Sequence, residues 1–597
     1  MCGVHLLVST SDKNKDSILT MMQSCQHRGP DHSSWEKVET GVYVAANRLK
    51  TLDLREEANQ PLLHEDTGAV LSWNGFLYNY QDLRNQLIEE GVTFKSTSDG
   101  EVLLEWLIRK GKAGVKFIQG MYAFAFVHQR RVLLGRDPLG MKSLYIARNE
   151  EILACSSECR CLLESGLFPK KINKAQFLPY FYLRHALPQH SFYAGIDELA
   201  PGELMEIDLD SQKSQSDEMP IHVPGPGPSL ELASFEEVLT NAVLKHLHAD
   251  VPVGMILSGG ADSSLLYHLW YKETGLTLPS YTVGFEHTYG GKYEDPGFAK
   301  RLAGKFGGHN QEVSLSPEWF LEHWPEYIDG LDQPVGDSAG FLTWAVAKKA
   351  KTSVKILISG VGADELFSGY NRHIAFKQYL NHPEFWQWAA PLLKRVPFLG
   401  RGKQKFLSSI QGTVQRTFMN FAALSPLPEA LADSLDPLYP KGNGDFKNAL
   451  EWDRKMYMVQ DLLKIHDNAC MAHGIEGRAP FLDWQVVAMG KGLSEYELLH
   501  SGSKFWIKSI LKKDGLDSIA RRKKLGFGLP LKEWLTGHSG FREYVLDGVK
   551  EFGEHHSEQV PPEWRALVKQ PDKFIAEQFL LLFNVFLLAE WIKANRL

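Results

Sequence analysis

Two places in this chain carry residue types whose spacing implies chemistry. The first is Cys2, directly behind the initiator methionine. Removal of Met1 would leave a thiol and a free α-amino group on one residue. Such an amine titrates near ~8, so its neutral fraction can take the thiol proton, and a single residue supplies both nucleophile and base. The second is Ser258-Gly259-Gly260-Ala261-Asp262-Ser263-Ser264, set between the apolar run 253–257 and a helical pattern over 263–273. A glycine-rich turn where a strand meets a helix N-terminus is an anion site: the glycines let backbone N–H groups approach phosphate oxygens, the serine hydroxyls add donors, and Asp262 offers a hard oxygen to Mg²⁺. No Gly-x-x-x-x-Gly-Lys-Ser/Thr occurs in the chain, which argues against a Walker-type γ-phosphate enzyme.

The elements that must position these residues follow from the hydrophobic pattern. From 1 to about 205, short β-branched and aromatic runs (41–46, 70–73, 122–127, 132–135) alternate with helical patterns near 16–25, 79–90 and 99–110, which predicts a layered α+β domain over 2–207. Residues 208–232 are polar and rich in Pro, Gly and Ser, and read as a linker or long loop. Ser234 with Glu237 has the form of a capping box opening a helix to about 247, where a second domain, 233–597, begins. In it the apolar runs 253–257, 280–285 and 355–359 are separated by helical patterns, the alternation of a parallel α/β sheet. From about 369 onward only helices are expected. The apolar stretch 579–589, broken by Asn584, falls short of the ~20 residues of a bilayer span and reads as a buried helix.

Composition limits the function classes. With 597 residues, 44% hydrophobic and 23% charged, the chain is an ordinary multidomain globular protein. Its 65 Lys+Arg against 72 Asp+Glu give a net charge of −7, with no electrostatic footprint for nucleic acid or anionic membrane. Six cysteines are too few for a disulfide framework, and with no export signal visible the expected compartment is the cytoplasm. Cys155, Cys159 and Cys161 lack the Cys-x-x-Cys pairs of a closed zinc site, and His27 and His32 read as loop residues.

Ser-Gly-Gly-x-Asp-Ser-Ser resembles the pyrophosphate loop of the ATP pyrophosphatases. Further motifs narrow the resemblance to the glutamine-hydrolysing asparagine synthetase B family: Asp332-Gln333-Pro334 with Asp337-Ser338, the run Ser359 to Tyr370 (Ser-Gly-Val-Gly-Ala-Asp-Glu-Leu-Phe-Ser-Gly-Tyr), the run Glu476 to Asp483 (Glu-Gly-Arg-Ala-Pro-Phe-Leu-Asp), and Gly526-Phe527-Gly528-Leu529-Pro530. At the N-terminus, Cys2-Gly3, His27-Arg28-Gly29-Pro30-Asp31, Asn47-Arg48-Leu49, Asn74-Gly75 and Ser98-Asp99-Gly100-Glu101 resemble, in order, the class II glutamine amidotransferase domain. The resemblance implies an N-terminal nucleophile (Ntn) hydrolase-like sandwich followed by an ATP-pyrophosphatase domain with a helical extension. It implies that Cys2 attacks the glutamine amide, that Asn74 and Gly75 stabilise the oxyanion, and that Arg48 and Asp99 hold the substrate α-carboxylate and α-ammonium. It also implies that Leu257, Ser258, Gly259, Gly260, Asp262, Ser263, Ser264, Val283, Ser359 and Gly360 contact ATP, that Asp262 and Asp364 hold Mg²⁺, and that Lys508 steadies pyrophosphate. The implied reaction is adenylation of aspartate and amidation by glutamine-derived ammonia, in a chain that forms a homodimer.

Two positions depart from the family pattern. Phe76 stands where the family usually has a glutamate near the glutamine amine, and Val361 where it has a glutamate linked to adenylation, so Glu365 and Glu476 become candidates for that second task. The departures leave open the same chemistry on another carboxylate, in specialised metabolism or surface-sugar amidation, or a non-catalytic regulatory relative.

Overall fold

The computed structural model describes residues 2–221, 230–287, 289, 293–394, 400–500, 502–522 and 526–597. Its first unit is two stacked six-stranded antiparallel sheets. One runs in the order 196–198, 145–148, 152–156, 2–9, 42–48, 32–39, and the other 214–218, 203–208, 131–136, 120–128, 69–77, 62–64. Alternation within Cys2–Ser9 sends Val4 and Leu6 into the core between the sheets, with Val44, Val70, Ala125 and Leu134, while Leu7 goes to the outer face with Ile18 and Met21 of the helix Lys15–Ser24. Helices Tyr80–Glu89 and Asp99–Gly114 cover the second sheet. This is the expected α+β sandwich with covered outer faces.

The boundary between the units differs from the sequence expectation. Ser214–Glu218, placed in the linker 208–232, is a strand paired antiparallel with Glu203–Asp208. All five of its residues are exposed, so an edge strand with polar side chains on both faces left no alternation to read. Residues 222–229 of that linker lie outside the described residues. The next helix starts at Leu232 with Glu231 in the N-cap position and no side-chain cap, so Ser234 and Glu237 sit inside the helix and do not form the expected box.

The second unit holds a five-stranded parallel sheet in the order 310–315, 280–285, 253–256, 356–358, 476–478. The chain runs outward in one direction from 253–256 and then returns to run outward in the other. The carboxyl ends of 253–256 and 356–358 therefore flank a topological switch point, the place where open α/β sheets bind ligands. Two of these strands were not anticipated. Asn310–Leu315 is an edge strand of mixed polarity. Glu476–Arg478 carries two charged residues, yet is wholly buried because the first unit packs over it, and it contradicts the expectation of helices alone beyond 369.

The C-terminal stretch 579–589 lies in a longer helix, Ile575–Ala594. By length and composition the segment Pro571–Ala594 could cross a membrane, but more than half of its apolar window is buried inside this fold. Its Asn584 is fully buried and donates from its side-chain amide to the carbonyls of Tyr180 (3.2 Å) and Phe181 (3.3 Å).

Candidate active sites

Cys2 and Asn74 lie on facing strands of the stacked sheets, both pointing inward. The Cys2 nitrogen donates to Asn74 Oδ1 at 2.9 Å, which turns the Asn74 amide so that Nδ2 has no hydrogen-bond partner among the described residues. A fully buried, unused donor beside a thiol is the requirement of an oxyanion hole. Gly75 follows for a steric reason: a Cβ there would stand 2.2 Å from the Met121 carbonyl oxygen on the neighbouring strand. Sequence reasoning missed Gln60, whose Nε2 donates to Cys2 Sγ at 3.3 Å while its Oε1 accepts from Trp73 N at 2.8 Å. A lone glutamine in a loop carries no spacing signal that could have revealed it.

Arg48, opposite Cys2 in the strand register, donates to the carbonyls of Arg55, Leu52 and Asp53 and to Asn59 Oδ1. It shapes the loop that follows its own strand. Asp99 is buried at the start of its helix and accepts from Leu77 N at 3.1 Å, and burial pushes its carboxyl up to about 7. Phe76 points the same way as Asn74, and its ring is covered by the Arg478 guanidinium, 4.0 Å from the ring centroid. The second unit therefore closes this pocket.

The phosphate loop lies at the switch point. Ser258 N and Oγ meet Ser263 Oγ at 3.2 and 3.1 Å, Gly260 N donates to Ser258 Oγ at 3.3 Å, and Ser264 is buried in the first turn of the helix Ala261–Thr274. Gly259 needs its glycine: φ is +65° and a Cβ would meet Phe298 Cβ at 2.6 Å. Leu257 N donates to the Tyr281 carbonyl at 2.9 Å, and the buried Val283 extends the wall along the next strand. From the other side, Gly360 lies so close that a Cβ would stand 3.1 Å from Asp262 Cβ, and Ser359 Oγ meets His466 Nε2 at 3.3 Å. Loop 258–264 and the run Ser359–Gly360 thus form one site.

Asp262 Oδ2 and Asp364 Oδ1 converge on a single point, each 2.5 Å from Lys504 Nζ. Two hard carboxylate oxygens directed at one locus beside a phosphate loop fit Mg²⁺. Lys504 bridges them in the structure and was not singled out from the sequence, where it is one lysine among many. Lys508 lies one turn further along the same helix, held below the usual lysine range by burial and then by the charge of Lys504. Arg522 adds a further cation, donating to the Ser258 carbonyl at 3.3 Å and pairing with Asp295. Glu365 accepts from the Tyr370 hydroxyl.

The two sites are joined by a buried charge cluster. Arg28 donates to the Cys2 carbonyl (3.4 Å), Glu158 (3.1 Å) and Asp467 (2.7 Å), and Lys142 reaches the other oxygen of Asp467 at 2.9 Å. Asp467 adjoins His466, the residue on Ser359. Asp332 of the Asp-Gln-Pro run accepts from the backbone of Cys159 (3.0 Å) and Arg160 (2.8 Å), so that motif also fastens the units. Cys25 and Cys161 meet Glu158, whose carboxylate is already shared by Arg28, Arg160 and His27, surroundings hostile to a cation.

A thiol site in a two-sheet sandwich, packed on a phosphate-loop sheet, defines a two-site enzyme that couples amide hydrolysis to nucleotide chemistry. The asparagine synthase family model matches residues 234–581 and a glutamine amidotransferase domain model matches 1–217, and the chain belongs to the asparagine synthase family. It is 28% identical over 585 residues to asparagine synthetase [glutamine-hydrolyzing] 1 of Bacillus subtilis, covering 92% of this chain and 90% of that one. It is 29% identical over 551 residues to a putative asparagine synthetase [glutamine-hydrolyzing] of Mycobacterium bovis, covering 85% and 83%. Among solved structures, the allosteric regulatory enzyme of purine biosynthesis overlays at a TM-score of 0.29, with 19% identity over 47% of this chain and 64% of that one, too loosely for residue-by-residue comparison.

Proposed function

We propose that the chain releases ammonia from glutamine at Cys2 and uses it to amidate a carboxylate activated by ATP, with the β-carboxyl of aspartate as the acceptor. The observation that carries the first half is the unused Asn74 Nδ2 beside Cys2. In this reading the thiolate adds to the glutamine amide carbon, Asn74 Nδ2 and the Gly75 N–H receive the oxyanion, ammonia leaves with a proton from the α-amino group, and water clears the thioester. At the second site the 258–264 loop and Gly360 cradle the phosphates. Asp262 and Asp364 would hold Mg²⁺, which when bound offsets phosphate charge. Lys508 and Arg522 face the same anion, and AMP leaves when ammonia attacks the acyl-adenylate.

The test supplies ATP, Mg²⁺ and ammonium with and without aspartate, and identifies the amide by mass spectrometry. Asparagine with equimolar AMP and pyrophosphate is the expected result. In the Cys2→Ala variant, glutamine should no longer support synthesis while ammonium still does. Failure of aspartate in a chain that still hydrolyses glutamine would reject the acceptor, Val361 then being the residue to examine first.

A further inference from the structure

The glutamine pocket has a wall that its own domain does not supply. Strand Glu476–Arg478 is the last of the nucleotide-side sheet, and its residues alternate. Gly477 faces the nucleotide side, where a Cβ would meet His466 Nε2 at 2.5 Å. Glu476 and Arg478 therefore face the opposite way, into the first unit, which sets Glu476 apart from adenylation. Arg478 lies on the ring of Phe76, two residues past Asn74. Glu476 is fully buried, holds Arg478 Nε at 2.5 Å through Oε1, and meets Thr51 Oγ1 at 3.4 Å through Oε2. Thr51 belongs to the loop that Arg48 organises, and that loop is fastened to the second unit by Asp250 N to the Thr51 carbonyl (3.0 Å) and Asp53 N to Asp250 Oδ2 (2.7 Å).

We propose that Glu476 is a glutamine-binding residue, its carboxylate receiving the α-ammonium of the glutamine that Cys2 attacks. The proposal rests on the glutaminase reading above and deepens it. An ammonium taken out of water needs an ionised acceptor. Phe76 offers none, and Asp99, pushed up to about 7 by burial, is only partly ionised at neutral pH. Glu476 is also pushed upward by burial, but the positive charges around it, Arg478 among them, outweigh that and hold its carboxyl below the usual carboxylate range. The consequence is that glutamine is recognised across the domain boundary.

The experiment compares glutamine with glutaramate, which keeps the amide and carboxylate but lacks the α-amine. In the full-length Glu476→Gln variant the kcat/KM for glutamine should fall about tenfold to a hundredfold through KM, the loss expected for one charged hydrogen bond, while glutaramate hydrolysis stays within about twofold. Synthesis driven by ammonium should not change. Adding Phe76→Glu, which places a carboxylate on the same Arg478, should restore the preference for glutamine. An unchanged glutamine-to-glutaramate ratio overturns the proposal, whether or not both rates drop. If ammonium-driven synthesis also falls, marking a disturbed fold, the single Phe76→Glu variant decides: the preference for glutamine should widen, and no widening counts against Glu476. A wild-type chain that hydrolyses neither compound defeats the glutaminase reading itself, an outcome separate from an unchanged ratio.

Discussion

Asn74 Oδ1 accepts from the Cys2 nitrogen while its Nδ2 has no hydrogen-bond partner among the described residues, and in the proposed reading that nitrogen receives the oxyanion. Replacing Asn74 with alanine should lower kcat for glutamine hydrolysis by about 10²–10³-fold, the usual cost of one oxyanion donor, with little change in ammonium-driven synthesis. Equal loss in both assays would mean the residue is only a packing element. Asp99 sets a pH dependence. Burial pushes its carboxyl up to about 7, the hydrogen bond from Leu77 N opposes this, and nearby Glu476 raises it while Arg478 lowers it. As pH falls through 7 it gains a proton and the glutamine ammonium loses a charged neighbour. KM for glutamine should rise between pH 8 and pH 6 while KM for ATP stays flat, and a glutamine KM constant over that range would remove Asp99 from the pocket. These residues were legible because their types and order are unusual together. Gln60 and Lys504 were not, since each acts through a position in space that distant loops create, and neither has a neighbour in sequence that marks it.

Strands and helices were read where one periodicity governed them. The runs 41–46, 122–127 and 132–135 and the apolar central parallel strands were anticipated to within a residue or two, whereas 70–73 caught only the start of Ala69–Leu77 and strands such as Cys2–Ser9 and His32–Glu39 were not read at all. Ser214–Glu218 and Glu476–Arg478 escaped because exposure on both faces in one case, and burial by another domain in the other, erase the pattern that distinguishes a strand. The close approach of strands 69–77 and 120–128 makes Gly75 the least tolerant point of the glutaminase sheet. Gly75→Ala should push the strands apart, and we expect loss of glutamine hydrolysis with the nucleotide site intact, measured as preserved ammonium-driven synthesis. In the C-terminal helix, Asn584→Ala leaves the Tyr180 and Phe181 carbonyls without their donor. That should cost about 1–3 kcal/mol, visible as a lower urea midpoint; an unchanged midpoint would show that other groups or water satisfy those carbonyls.

At the scale of the whole molecule, the sequence divided the chain into two catalytic units but could not show how they share walls, because a contact between residues hundreds of positions apart has no local signature. Asp467 is the clearest case, a buried carboxylate of the second unit neutralising Arg28 and Lys142 of the first. Its replacement by alanine strands two buried cations, and we expect about 3–5 kcal/mol lower stability, read as an earlier first transition in urea. Retention of the wild-type midpoint would mean that the cluster is replaceable. The adjacency of His466 and Asp467 has a thermodynamic consequence as well. One is in contact with Ser359 at the phosphate loop, the other with the arginine that holds the Cys2 carbonyl, and both ride on a single helical turn. Whatever factor ATP imposes on glutamine affinity through that turn, glutamine must return to ATP unchanged, because the two binding equilibria close a cycle. Neither ligand can be the master and the other the servant; at equilibrium, supply and demand for nitrogen are weighed on the same balance.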